Sequence, residues 1–310
     1  AVLKSQLVLL TEVCDRLLSD SLASRRDVAW VTRGWDGSHP PRLLLAPLEV
    51  DRAIAEHLLE GRAAVATSAT LALGGSFEPT AHALGLAEWQ AEDFGSPFDF
   101  GAQGILYVAA HLPRPGRDGI SPRALEELGD LVEAAGGGAL GLFSSMRGAQ
   151  RAAEYLRGRL STPVLCQGEE PVPGLVARFA ADPAASLVGT LSLWQGVDVP
   201  GSTLRLVAID RIPFPRPDDP IASARAEVAQ GRGENGFLQV SVTHAALLLA
   251  QGAGRLIRTS SDRGVVAILD SRIASASYGP FLLRSLPPFW PTTQHVVATQ
   301  SLRNLRATTL

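Results

Sequence analysis

The chain has 310 residues, 46% apolar and 19% charged, with a formal net charge of −3. That length and composition suit two domains, or one large domain with additions, around a sizeable core. No run of about 18 apolar residues offers a membrane-crossing helix, and the near-neutral balance gives no bulk-charge signal for nucleic acid.

In chain order, residues 1–24 read as an amphipathic helix, with Leu3, Leu7, Leu10, Val13, Leu17 and Leu18 on one stripe. The opening, Ala-Val-Leu-Lys-Ser-Gln, has neither an initiator Met nor a signal-peptide pattern, so the chain is read as a piece of something longer. Leu43–Pro47 reads as a strand, Val50–Leu59 as a helix and Ala63–Thr67 as a buried strand, followed by Gly74-Gly75 and another short helix. Asp93–Phe100 looks like a linker. A second alternation follows. Strands are predicted at Ile105–Ala109, Ala139–Ser144, Val164–Cys166, Ser186–Thr190, Leu204–Ala208 and Gly264–Leu269. Helices are predicted at Pro122–Ala135, Met146–Arg159 and Pro173–Ala181, with another opening at His244–Gly252. Arg211–Gly236 reads as a long Pro- and Gly-rich surface excursion. Strands alternating with helices imply an α/β fold, a parallel sheet covered on both faces.

The most informative motif is Gln251-Gly252-Ala253-Gly254-Arg255-Leu256-Ile257-Arg258. On a continuous helix Gln251, Arg255 and Arg258 share one face. The preceding run, Ala245–Ala250, is strongly apolar, so the guanidiniums would be costly to bury without an anion. Each Gly weakens a helix by roughly 1 kcal/mol relative to Ala, which suggests a close approach to the backbone. A triphosphate fits this donor set; the bland alternative is a packed helix whose Arg side chains reach out to water.

Three further segments sit at predicted strand ends, where sites in parallel sheets gather. Gly189–Gly201 carries Thr190, Gln195, Gly196 and Asp198; it could present amides to phosphate and an acid to a ribose, or be an ordinary strand-to-loop transition. In Thr67–Leu71, the hydroxyls of Ser68 and Thr70 flank Ala69; they could sense a neighbouring acidic box or simply end a strand in a turn. In Leu142–Arg147, Ser144, Ser145 and Arg147 stand before a helix N-terminus and could bind a phosphate backbone or cap the helix. Asp270-Ser271-Arg272 reads as a strand-end charge pair, structural first, with contact to the site as the alternative. The six histidines have no metal-ligand spacing, and His244 is assigned to packing or capping. Lys4 is the sole lysine and lies outside any Gly-x-x-x-x-Gly-Lys-Ser/Thr context, so no standard phosphate loop is present; nor is an Asp-Glu-x-His box. Cys14 and Cys166 cannot make a four-Cys cluster and read as ordinary thiols.

Taken in order, these motifs resemble the C-terminal half of a superfamily-two helicase of the DinG family, bacterial relatives of the XPD-type helicases. The resemblance covers roughly residues 40–290. Thr67–Leu71 looks like helicase motif III, Phe143–Arg147 falls where motif IV lies, Leu193–Gly201 resembles motif V and Gln251–Arg258 motif VI. Gly74–Phe77, Gly95–Asp99, Ile212–Pro215, Asp262–Val266 and Tyr278–Leu282 also look like this family. The family usually has Glu where this chain has Gln195, an amide that keeps hydrogen bonding but loses charge.

The resemblance implies two RecA-like lobes that close on ATP and Mg²⁺, with the phosphate loop and acidic box on lobe one. It assigns residues 1–40 to the end of an inserted arch-type region, 41–100 to the last part of lobe one, and 101–310 to lobe two. It implies that Arg255 and Arg258 act on the γ-phosphate with Gln251 as its sensor, and that Gln195, Gly196, Asp198 and Gly254 lie at the nucleotide. Ser68, Ala69 and Thr70 would couple hydrolysis to lobe motion; Ser144, Ser145, Arg147 and Thr190 would contact DNA. The implied partners are single-stranded or forked DNA and the N-terminal lobe of the same protein, with no membrane and a cytoplasmic, nucleoid-associated setting. Any iron–sulfur cluster would lie outside this chain. Without the partner lobe, Arg255 and Arg258 are expected to face water. The rival expectation is a helicase-derived module that binds DNA or a partner without turnover.

Overall fold

The computed structural model describes residues 2–33, 40–116, 119–190, 193 and 203–309. The chain divides into two compact units: unit 1 comprises residues 1–72, 76–91 and 214–244, and unit 2 residues 73–75, 92–213 and 245–310.

Unit 1 begins with α1 (Val2–Leu18) and an antiparallel hairpin of β1 (Asp27–Thr32) and β2 (Arg42–Pro47). Arg16 pairs with the buried carboxylate of Asp27, fastening α1 to β1 and holding that carboxyl below its ordinary range. The region predicted as Val50–Leu59 is α2 (Asp51–Ile54) continued by a π-helical turn, Ala55–Leu59. The strand expected at Ala63–Thr67 does not form: residues 62–68 join no sheet and are exposed, and Val65 is 90% exposed. A β-prone run becomes a strand only where a neighbouring strand takes up its hydrogen bonds, and among the described residues no strand pairs with Ala63–Thr67. The short helix after the Gly pair is α3 (Glu78–Ala83).

The excursion expected at 211–236 contains a helix, α8 (Pro220–Gly231), packed against β1. Its start was written locally: Asp219 accepts the N–H of Ala222 at 2.8 Å and Pro220 occupies the first turn. Arg225 donates to the Leu48 carbonyl and Arg25 pairs with Glu227 at 2.8 Å.

Unit 2 is a seven-stranded, all-parallel sheet flanked by helices, the α/β arrangement expected. The helices before and within it are α4 (Phe100–Gln103), α5 (Pro122–Ala135), α6 (Met146–Arg159), α7 (Val172–Ala181), α9 (Thr243–Ala253), α10 (Arg272–Ser275), α11 (Gly279–Arg284) and α12 (His295–Thr309). The strands are β3 (Gly104–Val108), β4 (Ala139–Phe143), β5 (Val164–Cys166), β6 (Ser186–Thr190), β7 (Leu206–Ile209), β8 (Gly264–Ile268) and β9 (Trp290–Thr292). Their order is β5-β6-β4-β7-β8-β3-β9.

Local signals explain most boundaries. Ser121 caps α5 by accepting the Ala124 N–H, and Gly136, at φ 66°, ends it in the left-handed conformation that favours Gly. Leu125, Leu128, Leu131 and Val132 on its inner stripe pack with Tyr107, Leu156 and Leu302 in the buried core. The sequence reading missed β9 and α12. The α12 helix docks on α5 through Glu127, which accepts from the Tyr107 hydroxyl and lies 2.8 Å from His295 Nδ1. Burial, then Glu127, push the Tyr107 hydroxyl well above its ordinary range.

Candidate functional site

The α9 helix stops at Ala253, so Gln251, Arg255 and Arg258 do not share one continuous helix as expected. Gln251 stays in its last turn. Arg255 and Leu256 then donate to the carbonyls of Gly252 and Ala253 at 3.2 Å, three residues back, which tightens and closes the helix. Two glycines within three residues make that end inexpensive. The close approach expected at Gly254 comes from the chain itself: an added Cβ would lie 3.1 Å from the Ala250 carbonyl oxygen.

What holds Arg258 is Asp262. Its buried carboxylate accepts the backbone N–H of Arg258 and of Thr259, each at 2.8 Å, and the Thr259 hydroxyl at 2.7 Å. Hydrogen bonds to a charged group are worth about 1.5–3 kcal/mol each, enough to draw a short segment out of helical register. From the other side the buried Gln103 amide donates to the carbonyls of Thr259 at 3.0 Å, Ser260 at 3.3 Å and Asp262 at 3.1 Å. Leu256 and Ile257 are buried beneath. The result is a pinned segment with the Arg258 side chain exposed and Arg255 half-buried, so Arg258 meets the expectation of facing water and Arg255 meets it in part.

The pinned segment leads into the amino end of β8, and Gln103 precedes the amino end of β3; Gly104 and Gly264 are paired in register. The other candidates in unit 2 lie at the opposite, carboxyl ends of the strands. Ser144, just past β4, donates its N–H at 2.9 Å and its hydroxyl at 3.2 Å to Asp210, just past β7. Ser145 caps α6, accepting the Gly148 N–H at 3.1 Å, and Arg147 is exposed in the first turn. Thr190, ending β6, donates its N–H at 2.7 Å and its hydroxyl at 3.0 Å to Gln167, just past β5. The candidates in unit 2 therefore lie at both ends of one sheet: Ser144, Ser145, Arg147 and Thr190 at the carboxyl ends, where sequence reasoning placed them, and the pinned segment, expected only to continue a helix, at the amino end. The physical reason is connectivity: Arg255 and Arg258 follow a helix that returns to the start of a strand.

Asp210 and Asp270 complete the carboxyl edge; sequence reasoning did not single out Asp210 and read Asp270 first as structural, with contact to the site as the alternative. Burial pushes the Asp210 carboxyl up to about 6, against the opposing pull of Arg211 and Ser144. Asp270 is fully buried; it pairs with Arg272 at 2.6 Å, as expected, and also accepts the Ile212 N–H at 2.9 Å. The pattern that could have found both is an acid closing an apolar run, which recurs at Leu206–Asp210 and Val265–Asp270.

In unit 1, Ser68 and Thr70 form a hydroxyl turn rather than a strand end: the Thr70 N–H donates to Ser68 Oγ at 3.2 Å and the two hydroxyls lie 3.2 Å apart. Gln195, Gly196 and Asp198 lie outside the described residues. Among the described residues no three His, Cys, Asp or Glu side chains form a metal-binding group, and no helix is long and apolar enough to cross a membrane. Cys14 is exposed and Cys166 buried, neither in a disulfide.

Residues 128–289 match the family described as the helicase C-terminal domain. The chain belongs to that family. Among curated proteins, this helicase C-terminal domain chain is 54% identical over 308 residues to "ATP-dependent helicase DinG" of Mycobacterium tuberculosis, covering 96% of this chain and 46% of that protein. It is 38% identical over 247 residues to "ATP-dependent DNA helicase YoaA" of Escherichia coli, covering 79% of this chain and 39% of that protein. It thus spans about half the length, or less, of these curated relatives. A solved structure titled "XPD_Helicase" aligns with 61% of this chain and 36% of its own, at 19% identity and a TM-score of 0.45.

Proposed function

We propose that this chain is the C-terminal motor part of an ATP-dependent DNA helicase, one that couples ATP hydrolysis to movement along single-stranded DNA and to duplex unwinding. The observation that carries the reading is the pinned Arg255–Arg258 segment, in which Asp262 and Gln103 hold a short cationic loop against the end of a rigid sheet. Arg255, Arg258 and the Gln251 amide are N–H donors, a set that fits the acceptor oxygens of a triphosphate. Guanidiniums placed there would neutralise charge developing on the transferring γ-phosphoryl, an effect worth about 10³–10⁵ in rate in other phosphoryl-transfer enzymes. Mg²⁺ needs clustered oxygen ligands; with the phosphate loop, these are assigned to an amino-terminal lobe of the same protein.

In this reading Gln195, Gly196, Asp198 and Gly254 complete the nucleotide side, while Ser68, Ala69 and Thr70 couple hydrolysis to lobe motion. At the carboxyl edge of the sheet Arg147 is the DNA-phosphate contact. Ser144, Ser145 and Thr190 shape that edge through the hydrogen bonds to Asp210, Gly148 and Gln167, and offer backbone and hydroxyl groups to the strand. Family resemblance adds 5′ to 3′ polarity, a role in DNA repair or replication, and a cytoplasmic, nucleoid-associated location. The test is a DNA-stimulated ATPase assay. This chain by itself should show none, because it lacks the phosphate loop. The full-length protein should show it, and a full-length protein inert towards ATP and forked DNA would refute the reading.

A further inference from the structure

Two of the family-like motifs, Gly74–Phe77 and Tyr278–Leu282, have no part in the site described above. They meet. Residues 73–75 belong to unit 2, although the chain on either side of them belongs to unit 1. Leu73 is buried in this excursion. Gly74 and Gly75 turn the chain with φ of 61° and 87°, a conformation that L side chains rarely adopt.

The turn is gripped at its first glycine. The Gly74 N–H donates to Ser285 Oγ at 2.7 Å, and its carbonyl accepts from Arg284 Nε at 3.3 Å. Ser285 in turn donates to the Phe281 carbonyl at 2.9 Å. A Cβ on Gly74 would overlap the ring of Phe281. So α11 and the residue after it supply a ring, a hydroxyl and a guanidinium to one backbone position about 210 residues away. The Ser68–Thr70 turn lies only four residues upstream.

We propose that this clasp makes Gly74, Phe281, Arg284 and Ser285 positioning residues: unit 2 holds the chain just past Ser68–Thr70, so that movement of unit 2 is passed to that turn. The proposal rests on the helicase reading. Four residues span at most about 14 Å fully extended. While the clasp is closed, Thr70 can be no further than that from the point at which Ser285 and Arg284 hold Gly74. A clasp that only stabilises unit 2 would be indifferent to the length of this tether; one that transmits movement would not.

The experiment lengthens the tether and leaves the clasp alone. Two glycines inserted between Ala72 and Leu73 of the full-length protein add about 7 Å of reach. DNA-stimulated ATPase should stay within about twofold of wild type, while base pairs unwound per ATP fall by roughly fivefold or more, the scale of an ordinary inter-site coupling. Unchanged unwinding per ATP would overturn the proposal. Wild-type protein without DNA-stimulated ATPase would overturn the helicase reading and the coupling with it, yet the clasp can still be judged without activity. In hydrogen exchange on this chain, the Gly74 amide should be protected, and roughly tenfold less so in Ser285→Ala. Rapid exchange at Gly74 in wild type would show that there is no clasp.

Discussion

Unit 2 and unit 1 both contain strand-like sequence and treat it in opposite ways. All five residues of β4 are buried between flanking strands and helices. In β2 none is buried, Leu43 is 56% exposed and Leu44 37%. Apolar side chains of α1 such as Leu3, Leu7 and Leu10 also stand in water. Among the described residues of unit 1 the buried apolar side chains are Leu48, Ala81, Ala224, Ala229 and Val242, three of them alanines. The lesson is that an apolar, β-prone run specifies a strand only together with its neighbours: Leu187 beside Leu140 in register makes β4 and β6 a sheet, whereas Val65 has no such partner. Burying one large aliphatic side chain contributes about 1.5–3 kcal/mol, and unit 2 has many such side chains where unit 1 has few.

The largest expected effect concerns function. Arg258→Ala in the full-length protein should lower DNA-stimulated ATPase by about 10³-fold or more, a loss far larger than any change in the thermal melting of unit 2, since the side chain is exposed rather than part of the core. Wild-type ATPase in that variant would refute the role given to Arg258. Next, Leu131→Ala should destabilise unit 2 by about 2–5 kcal/mol, since Leu131 is fully buried in the core; urea unfolding of this chain measures it.

Asp210 gives a pH test. Its folded-state value, about 6, lies above the ordinary 3.8, so the native state holds this proton more tightly than the unfolded chain does. The contribution is therefore fully present below 3.8 and lost as pH rises through 6. It amounts to roughly 3 kcal/mol. Asp27 and Glu169, held low by Arg16 and Arg157, run the other way and lose their contribution as pH falls. The stability of wild type minus that of Asp210→Asn should decline between about pH 4 and 6 in urea titrations; a flat difference would show that Asp210 is not buried as described. The smallest effect falls in unit 1, where Val65→Ala should change stability by less than about 0.5 kcal/mol. A cost comparable to that of Leu131→Ala would break the contrast between the units.

The sheet of unit 2 was legible because its signals are local. Pro122–Ala135, Met146–Arg159, Val164–Cys166 and Ser186–Thr190 were read to the residue, and their ends carry local markers such as the Ser121 cap and Gly136. The Pro-rich stretch before α8 hid a helix whose Asp–Pro start was there to be read. At the carboxyl edge the residue types were legible but not their pairing: Ser144 looked open to a phosphate, and its hydroxyl proved to be donated to Asp210, 66 residues away.

The amino-acid sequence alone determined that Gln251, Arg255 and Arg258 gather an amide and two guanidiniums within eight residues of an α/β chain with no Gly-x-x-x-x-Gly-Lys-Ser/Thr loop, since residue chemistry and spacing do not depend on how the chain folds. It implied one helical face for them, because helix periodicity is the only geometry a sequence carries over that distance. Tertiary structure decided otherwise. A carboxylate four residues downstream of Arg258 and an amide from 155 residues upstream of it, both buried, take the backbone hydrogen bonds a helix would have used. Their buried positions make those bonds stronger than helix propensity, so the arginine loop is set by its distant anchors.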